Sequence, residues 1–276
     1  ATPTPTTWGI FQADRYYRDP LAAPWELTTT GGGLFAWLAA FLVTGLVVSP
    51  LVGQVMYGAD FRSIPPSSQA IYALVSQILE VGAGLGTIYY VTKDYEVADY
   101  GLFRFSLGSP FEKDRGWLVW ALLGIMVAPF FVGGSAAVSY LSGWESYTAG
   151  GKGTVDAVSQ MVEMDGQTFA SLFTVTAILA PLLEETVFRG FLLTGLCKVM
   201  DPRAAVVVSA GAFGVCHFSA HDLPQLIALG IVLGFTYLRS RNLATPMLIH
   251  GMWNGVVLSV LFALVQAGVD ISTLTG

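Results

Sequence analysis

The sequence predicts an all-α protein, a multi-pass bundle of transmembrane helices, and three observations predict it. Apolar residues make up 54% of the 276-residue chain and charged residues only 12%, about half the charge of a soluble domain. The apolar residues gather into runs close to the roughly 20 residues that a membrane-spanning helix needs. The 13 Lys and Arg residues fall in alternate connections between those runs, as expected when basic loops stay on one side of a membrane.

The runs lie at 34–57, 68–91, 116–141, 168 to about 200, 204–218, 223–238 and 243–267, which makes about seven spans. The fifth and sixth are short for a full crossing. The chain divides into a polar N-terminal arm (1–33), a set of N-terminal membrane helices with loops (34–167) and a membrane core (168–276). The arm, with Trp8, Tyr16, Tyr17 and Trp25, reads as a surface segment, and Trp117, Trp120, Trp144 and Tyr147 flank the third span as interfacial anchors would. Asp201-Pro202 is a helix-start signal, an N-cap acceptor followed by proline, and predicts a tight hairpin between the fourth and fifth spans.

With the N-terminus on a side termed A, that side collects Arg15, Arg18, Lys93, Arg104, Lys113, Arg115, Arg189, Lys198, Arg203, Arg239 and Arg241, and side B only Arg62 and Lys152. The asymmetry assigns side A to the cytoplasm or stroma. The net charge of −6 is distributed over loops. Basic residues never form a run, so no nucleic-acid partner is expected. Cys197 and Cys216 are the only cysteines, too few for a disulfide framework and without zinc-site spacing. Ala1 and the following Thr/Pro segment read as a mature chain from which a targeting segment has been removed, with a trimmed boundary as the alternative.

The fourth run carries the chemistry. Glu184, Glu185 and Arg189 interrupt an otherwise uncharged stretch, and ionisable groups at membrane depth mark functional sites by default. Glu185 and Arg189 are four residues apart with the acid first, the favoured order for an ion pair. Glu184 points about 100° away round the helix, lacks such a partner and is the candidate general base; a second structural carboxylate is the bland alternative. Glu184 lies 16 residues before Met200 and His217 lies 15 after Pro202, so the hairpin brings them to nearly equal depth. A histidine beside a carboxylate can polarise a water and shuttle its proton. Phe213, one turn earlier, is expected to wall the pair. His250 and Asn254, again four apart, offer donors for a developing oxyanion or simple hydrogen bonds between helices. Glu80 is a further mid-span acid that either lines the cavity or bonds a neighbour.

Competing chemistries fit less well. Cys216 and His217 are adjacent and diverge on a helix, and no His-Glu-x-x-His occurs. A metal held by Glu184, His217 and His250 stays open as a weaker alternative; the residues do not require one, and no cofactor is expected.

The three motifs Glu184-Glu185-Thr-Val-Phe-Arg189, Phe213-Gly-Val-Cys-His217 and His250-Gly-Met-Trp-Asn254 together resemble those of the CAAX-prenyl-protease and bacteriocin-processing family of intramembrane glutamic endopeptidases. The resemblance covers about residues 168–260. It implies an all-helical membrane fold, described with eight spans in some relatives, and a cavity open to the cytoplasmic side. It implies metal-independent hydrolysis of a peptide bond in a membrane-associated substrate. By resemblance Glu184 and His217 activate water, His250 and Asn254 form the oxyanion site, and Glu185 and Arg189 support them. Residues 239–254 are similar to the cyanobacterial and plastid branch, which points to a plastid (thylakoid) membrane. The alternative reading keeps the fold without the protease: a scaffold, assembly factor or pigment-associated subunit of a larger photosynthetic membrane complex.

Overall fold

A computed structural model describes residues 21, 23–59, 63–112, 115–144 and 165–269. Trp8, Tyr16, Tyr17, Tyr147, Arg15, Arg18, Arg62, Lys113 and Lys152, which enter the sequence reading, lie outside the described residues, as do most of the 1–33 arm and of the 142–167 connection.

The described residues form seven principal helices: α1 (Leu27–Tyr57), α2 (Pro66–Thr92), α3 (Trp117–Leu141), α4 (Gly166–Leu196), α5 (Pro202–Val215), α6 (Leu223–Ser240) and α7 (Ala244–Gln266). Six are long and apolar enough to cross a membrane, and α5 is not. The expected seven spans are therefore six full-length helices and one partial one. Mean hydropathies of 1.3 to 2.1 over the six make the chain an integral membrane protein built as a helical bundle. Exposed Phe35, Leu46, Val55, Phe130 and Leu141 suit lipid, which solvates apolar surface as readily as a neighbouring helix would.

Two of these helices change pitch, and proline supplies a reason. In α1 the segment Thr44–Val48 is π-helical and Pro50 follows. In α4 the segment Thr174–Leu179 is π-helical and Pro181 follows. Proline has no N–H to return to the carbonyl four residues earlier, so the ladder opens just upstream. A second π segment, Thr186–Leu193, has no proline behind it. Both π segments of α4 flank Glu184 and Glu185, a placement common for such bulges.

Loop contacts sort the bundle into two ends. At end A, Asn242 accepts from Ser106 N and donates to Ser106 O, Leu243 N donates to Arg104 O, Thr245 Oγ1 donates to Trp117 O, and Lys198 Nζ donates to Trp25 O. At end B, Tyr57 Oη donates to Ser68 O and Trp144 Nε1 to Ala220 O. Asp165 caps α4 at end B, accepting from Gln167 N and Thr168 N.

The largest core joins the N-terminal helices to the rest. Trp25, Trp37, Ile88, Leu183, Phe188, Phe191, Phe213 and Tyr237 belong to one buried cluster. Trp25 is fully buried before α1 begins, stacked on Phe191 with ring centroids 5.2 Å apart. Gly33 makes room for the Phe191 ring and Gly195 for Thr30, so α1 and α4 approach at both positions as only glycine permits.

Candidate active site

Glu184 and Glu185 end the short α-helical stretch Ala180–Glu185 that separates the two π segments of α4, and their carboxylates point to different partners. Glu185 is fully buried. Its Oε1 accepts from Arg189 NH1 at 3.1 Å and lies 2.9 Å from His250 Nδ1. Arg189, also fully buried, donates through NH2 to Gly230 O of α6, and its Cζ stands 4.6 Å from the Phe213 ring centre. The expected Glu185–Arg189 pair is thus present and extends across the bundle, tying α4 to α6 and α7.

Glu184 Oε2 lies 3.7 Å from His217 Nε2 and 3.9 Å from His250 Nε2, and is buried without a hydrogen bond. The depth argument from the Asp201-Pro202 hairpin holds: the two ends meet. One detail differs. The sequence places His217 within an apolar run at 204–218, whereas α5 stops at Val215 and His217 lies in the turn beyond it. Phe218 there adopts φ +53, a left-handed conformation costly for a residue with a side chain. His217 Nδ1 lies 2.7 Å from Phe213 O, one of the carbonyls that the end of a helix leaves unpaired.

Those contacts settle the tautomers. Each Nδ1 faces an acceptor, the Phe213 carbonyl or the Glu185 carboxylate, and therefore carries a proton. In a neutral imidazole the other nitrogen is then a bare acceptor. Both Nε2 atoms consequently present lone pairs to Glu184. Three acceptors converge on one spot, an arrangement matched by a molecule that brings two protons, such as water. His250 can donate from Nε2 only when doubly protonated. Asn254 gives one N–H to Thr176 O at 2.8 Å, the other being left for a ligand.

Phe213 packs edge-on to both imidazoles, with centroids 4.5 Å from His217 and 5.7 Å from His250, and is itself fully buried. Among the described residues no group of three or more His, Cys, Asp and Glu is arranged to hold a metal. Glu80 does not line this cavity; its Oε1 faces Gly45 of α1, 3.0 Å from where a Cβ there would stand.

A cavity of about 420 Å³ contains Glu184, His217, His250 and Asn254. It also exposes Gln77 of α2 and Gln225 of α6, two polar groups the sequence reading passed over, because an amide in an apolar run carries no charge signal. Its direction departs from expectation. On α4 its lining runs from Glu184 back through Ala180 to Thr176 and Val175, and on α7 from His250 forward to Leu258 and Leu261. Both directions lead toward end B. Toward end A, Phe188, Arg189 and Phe191 are fully buried and close the site. The resemblance implies an opening at the basic, cytoplasmic side; the buried Phe188 and Phe191, with Arg189 over the Phe213 ring, occupy that path.

Comparison with known proteins gives consistent results. Residues 166–256 match the model of the Rce1-like family, described as type II CAAX prenyl endopeptidase Rce1-like. YdiL of Bacillus subtilis strain 168, which carries a membrane-peptidase name, is 26% identical over 140 residues, 51% of this chain and 54% of its own length. The membrane-embedded CAAX protease MroQ of Staphylococcus aureus strain USA300 is 30% identical over 96 residues, 33% of this chain and 38% of its own. The chain thus spans about half or less of the length of the curated relatives it matches. No solved structure matches. The matches fall on the helices that carry Glu184, His217, His250 and Asn254, and over that part the chain is similar to CAAX-type membrane endopeptidases.

Proposed function

We propose that the chain is an intramembrane glutamic endopeptidase that hydrolyses a peptide bond in a membrane-associated substrate. The observation that carries the reading is Glu184 Oε2: a buried carboxylate oxygen with no hydrogen bond, facing the Nε2 atoms of His217 and His250 at 3.7 and 3.9 Å. A water here donates one hydrogen to Glu184 and the other to His217, which leaves its oxygen lone pairs for a carbonyl carbon. As the C–O bond forms, Glu184 takes the proton, which then passes to the departing amine. The oxyanion is met by the second N–H of Asn254, and by the Nε2–H of His250 in the enzyme form whose His250 ring has taken up a second proton from solvent. Glu185 accepts from Nδ1 of that ring, while Arg189 pairs with Glu185 from the other side. Phe213 packs against both rings and limits their rotation.

The test is purified protein in bilayers with membrane-anchored peptides, with cleavage read by mass spectrometry. Glu184→Gln keeps the shape and removes the base. It is expected to lower kcat by roughly 10²–10⁴-fold with the thermal transition unchanged. Wild-type turnover by this variant would remove Glu184 from the mechanism. Turnover is expected to survive chelators, since the steps above use only side chains. The reading takes end A as the cytoplasm-like side, supported by the charge asymmetry of the sequence, and a plastid (thylakoid) location, supported by the resemblance of residues 239–254 alone; impermeant labelling and fractionation test these two points.

A further inference from the structure

Beyond the catalytic groups, the cavity continues toward end B, and its dimensions and polar groups describe an occupant. Ala180 and Thr176 lie one and two turns from Glu184, and Leu261 lies eleven residues from His250, so the lining extends about 12 Å along α4 and about 16 Å along α7. An extended chain advances about 3.3–3.6 Å per residue, so the space matches about four residues of extended peptide. Its walls are mainly apolar: Val132 of α3, Leu226 and Leu229 of α6, and Trp253, Leu258 and Leu261 of α7. Two primary amides interrupt them. Gln225 Oε1 is buried without a hydrogen-bond partner, and Gln77 faces the same space from the opposite helix. A buried amide oxygen left unpaired forfeits its hydration without a replacement, so a ligand bearing N–H groups is favoured there. A carboxamide offers one acceptor and two donors, which suits the N–H and C=O of a peptide bond. A lipid acyl chain has neither.

We propose that this cavity is the substrate-binding channel, that it holds about four apolar residues in extended form on one side of the cleaved bond, and that Gln77 and Gln225 are positioning residues that hydrogen-bond the substrate backbone. The proposal rests on the peptidase reading for its place in a reaction, but its test needs no turnover. Extended apolar peptide in a membrane must find partners for its backbone, and amides on two facing walls meet that need without selecting side chains. Specificity then rests on the apolar fit and chain length.

The experiment uses the full chain carrying Glu184→Gln, in bilayers, with a leucine–alanine pentapeptide amide bearing a photoactivatable diazirine. Cross-links are expected on α6 between 225 and 229 and on α7 between 257 and 261. A peptide with the same side chains but N-methylated amides is expected to bind about tenfold more weakly, the scale of one or two lost hydrogen bonds. In the Gln77→Met/Gln225→Met protein, which keeps the volume, the two peptides are expected to bind alike. Cross-links elsewhere, indifference to N-methylation, or a co-purified lipid that the peptide fails to displace would each overturn the proposal. If the wild type cleaves nothing while the cross-links and the N-methyl effect appear, the peptidase reading fails and the channel stands. With a cleaved substrate in hand, the Gln→Met losses are expected in KM rather than kcat, and lengthening that side of the peptide beyond about four residues gains nothing.

Discussion

Gly251 is the position where a single methyl group should separate folding from function. It follows His250 on α7 and faces the π segment of α4, where Pro181 has left the Ala177 carbonyl without its usual N–H. A Cβ on residue 251 would stand 2.4 Å from that carbonyl oxygen. Carbon–oxygen contacts of this kind relax to about 3.3 Å, so α7 and α4 would have to part by roughly 0.9 Å. The obstacle is backbone, not a side chain able to swing away. Glu184 and Glu185 lie on one of these helices and His250 and Asn254 on the other, so the separation acts directly on the distances that define the site. A displacement near 1 Å in a catalytic constellation costs on the order of 10²-fold, and overpacking of this size costs about 1–3 kcal/mol. Gly251→Ala is therefore expected to lower kcat about a hundredfold and to reduce the thermal transition modestly. Gly255→Ala, whose Cβ would meet the Phe173 ring at 3.0 Å and the Ala177 methyl at 3.6 Å but no backbone, is the milder control. Bilayer-reconstituted cleavage beside differential scanning calorimetry reads both. Full activity in Gly251→Ala would show that α4 and α7 do not hold the site by close approach, and the geometric reasoning would fall with it.

Three further outcomes follow from the same contacts. Arg189→Met leaves Glu185 as an uncompensated buried charge and is expected to destabilise by about 3–5 kcal/mol; adding Glu185→Gln should recover part of that loss, and a denaturation double-mutant cycle gives the coupling. Asp165, outside the spans, accepts from the Thr168 hydroxyl and amide and from the Gln167 amide, which hold its carboxyl below the usual aspartate value. Its folded pKa is depressed, so its contribution is present above the unfolded value of about 3.9 and fades as pH falls through the folded one. The Tm gap between wild type and Asp165→Ala should be flat near neutrality and close in acid; a gap that widens in acid would contradict the cap. Asn242→Ala removes the bonds to Ser106 that fasten the 101–116 loop to the α6–α7 turn, and faster proteolysis near Ser106 is the expected reading.

Much of this architecture is legible in the amino-acid order because a membrane imposes length and apolarity on each crossing. Six of the seven predicted runs match helices to within a few residues, apart from the start of α1, where Leu27 to Gly33 extend the helix past the glycines that suggest a loop. The run at 204–218 misleads because Cys216, His217 and Phe218 are apolar enough to continue a helix by composition, yet the chain turns there. Glu184 and His217 are found by counting residues on either side of a hairpin. The bond between His250 and Glu185 is not, since it joins residues 65 apart whose approach depends on Gly251 and on a widened helical turn. Gln77 and Gln225 leave no trace in a search for charge or motif. The direction of the cavity is equally hidden, because it depends on which large side chains fill the space near Arg189.

The brevity of α5 has a consequence for the surrounding lipid. Its 14 residues span about 21 Å, against a hydrocarbon thickness of about 30 Å. Irregular backbone at membrane depth is tolerated only beside protein or water, and the non-helical segment from Cys216 to Asp222 follows α5 directly. Lipid next to α5 must then thin or tilt its tails to follow the shortened helix, a mismatch that costs fractions of a kcal/mol per ångström. A protein so shaped would partition toward thinner membranes, and the thinned patch would bring headgroups and their hydration close to the level of Glu184.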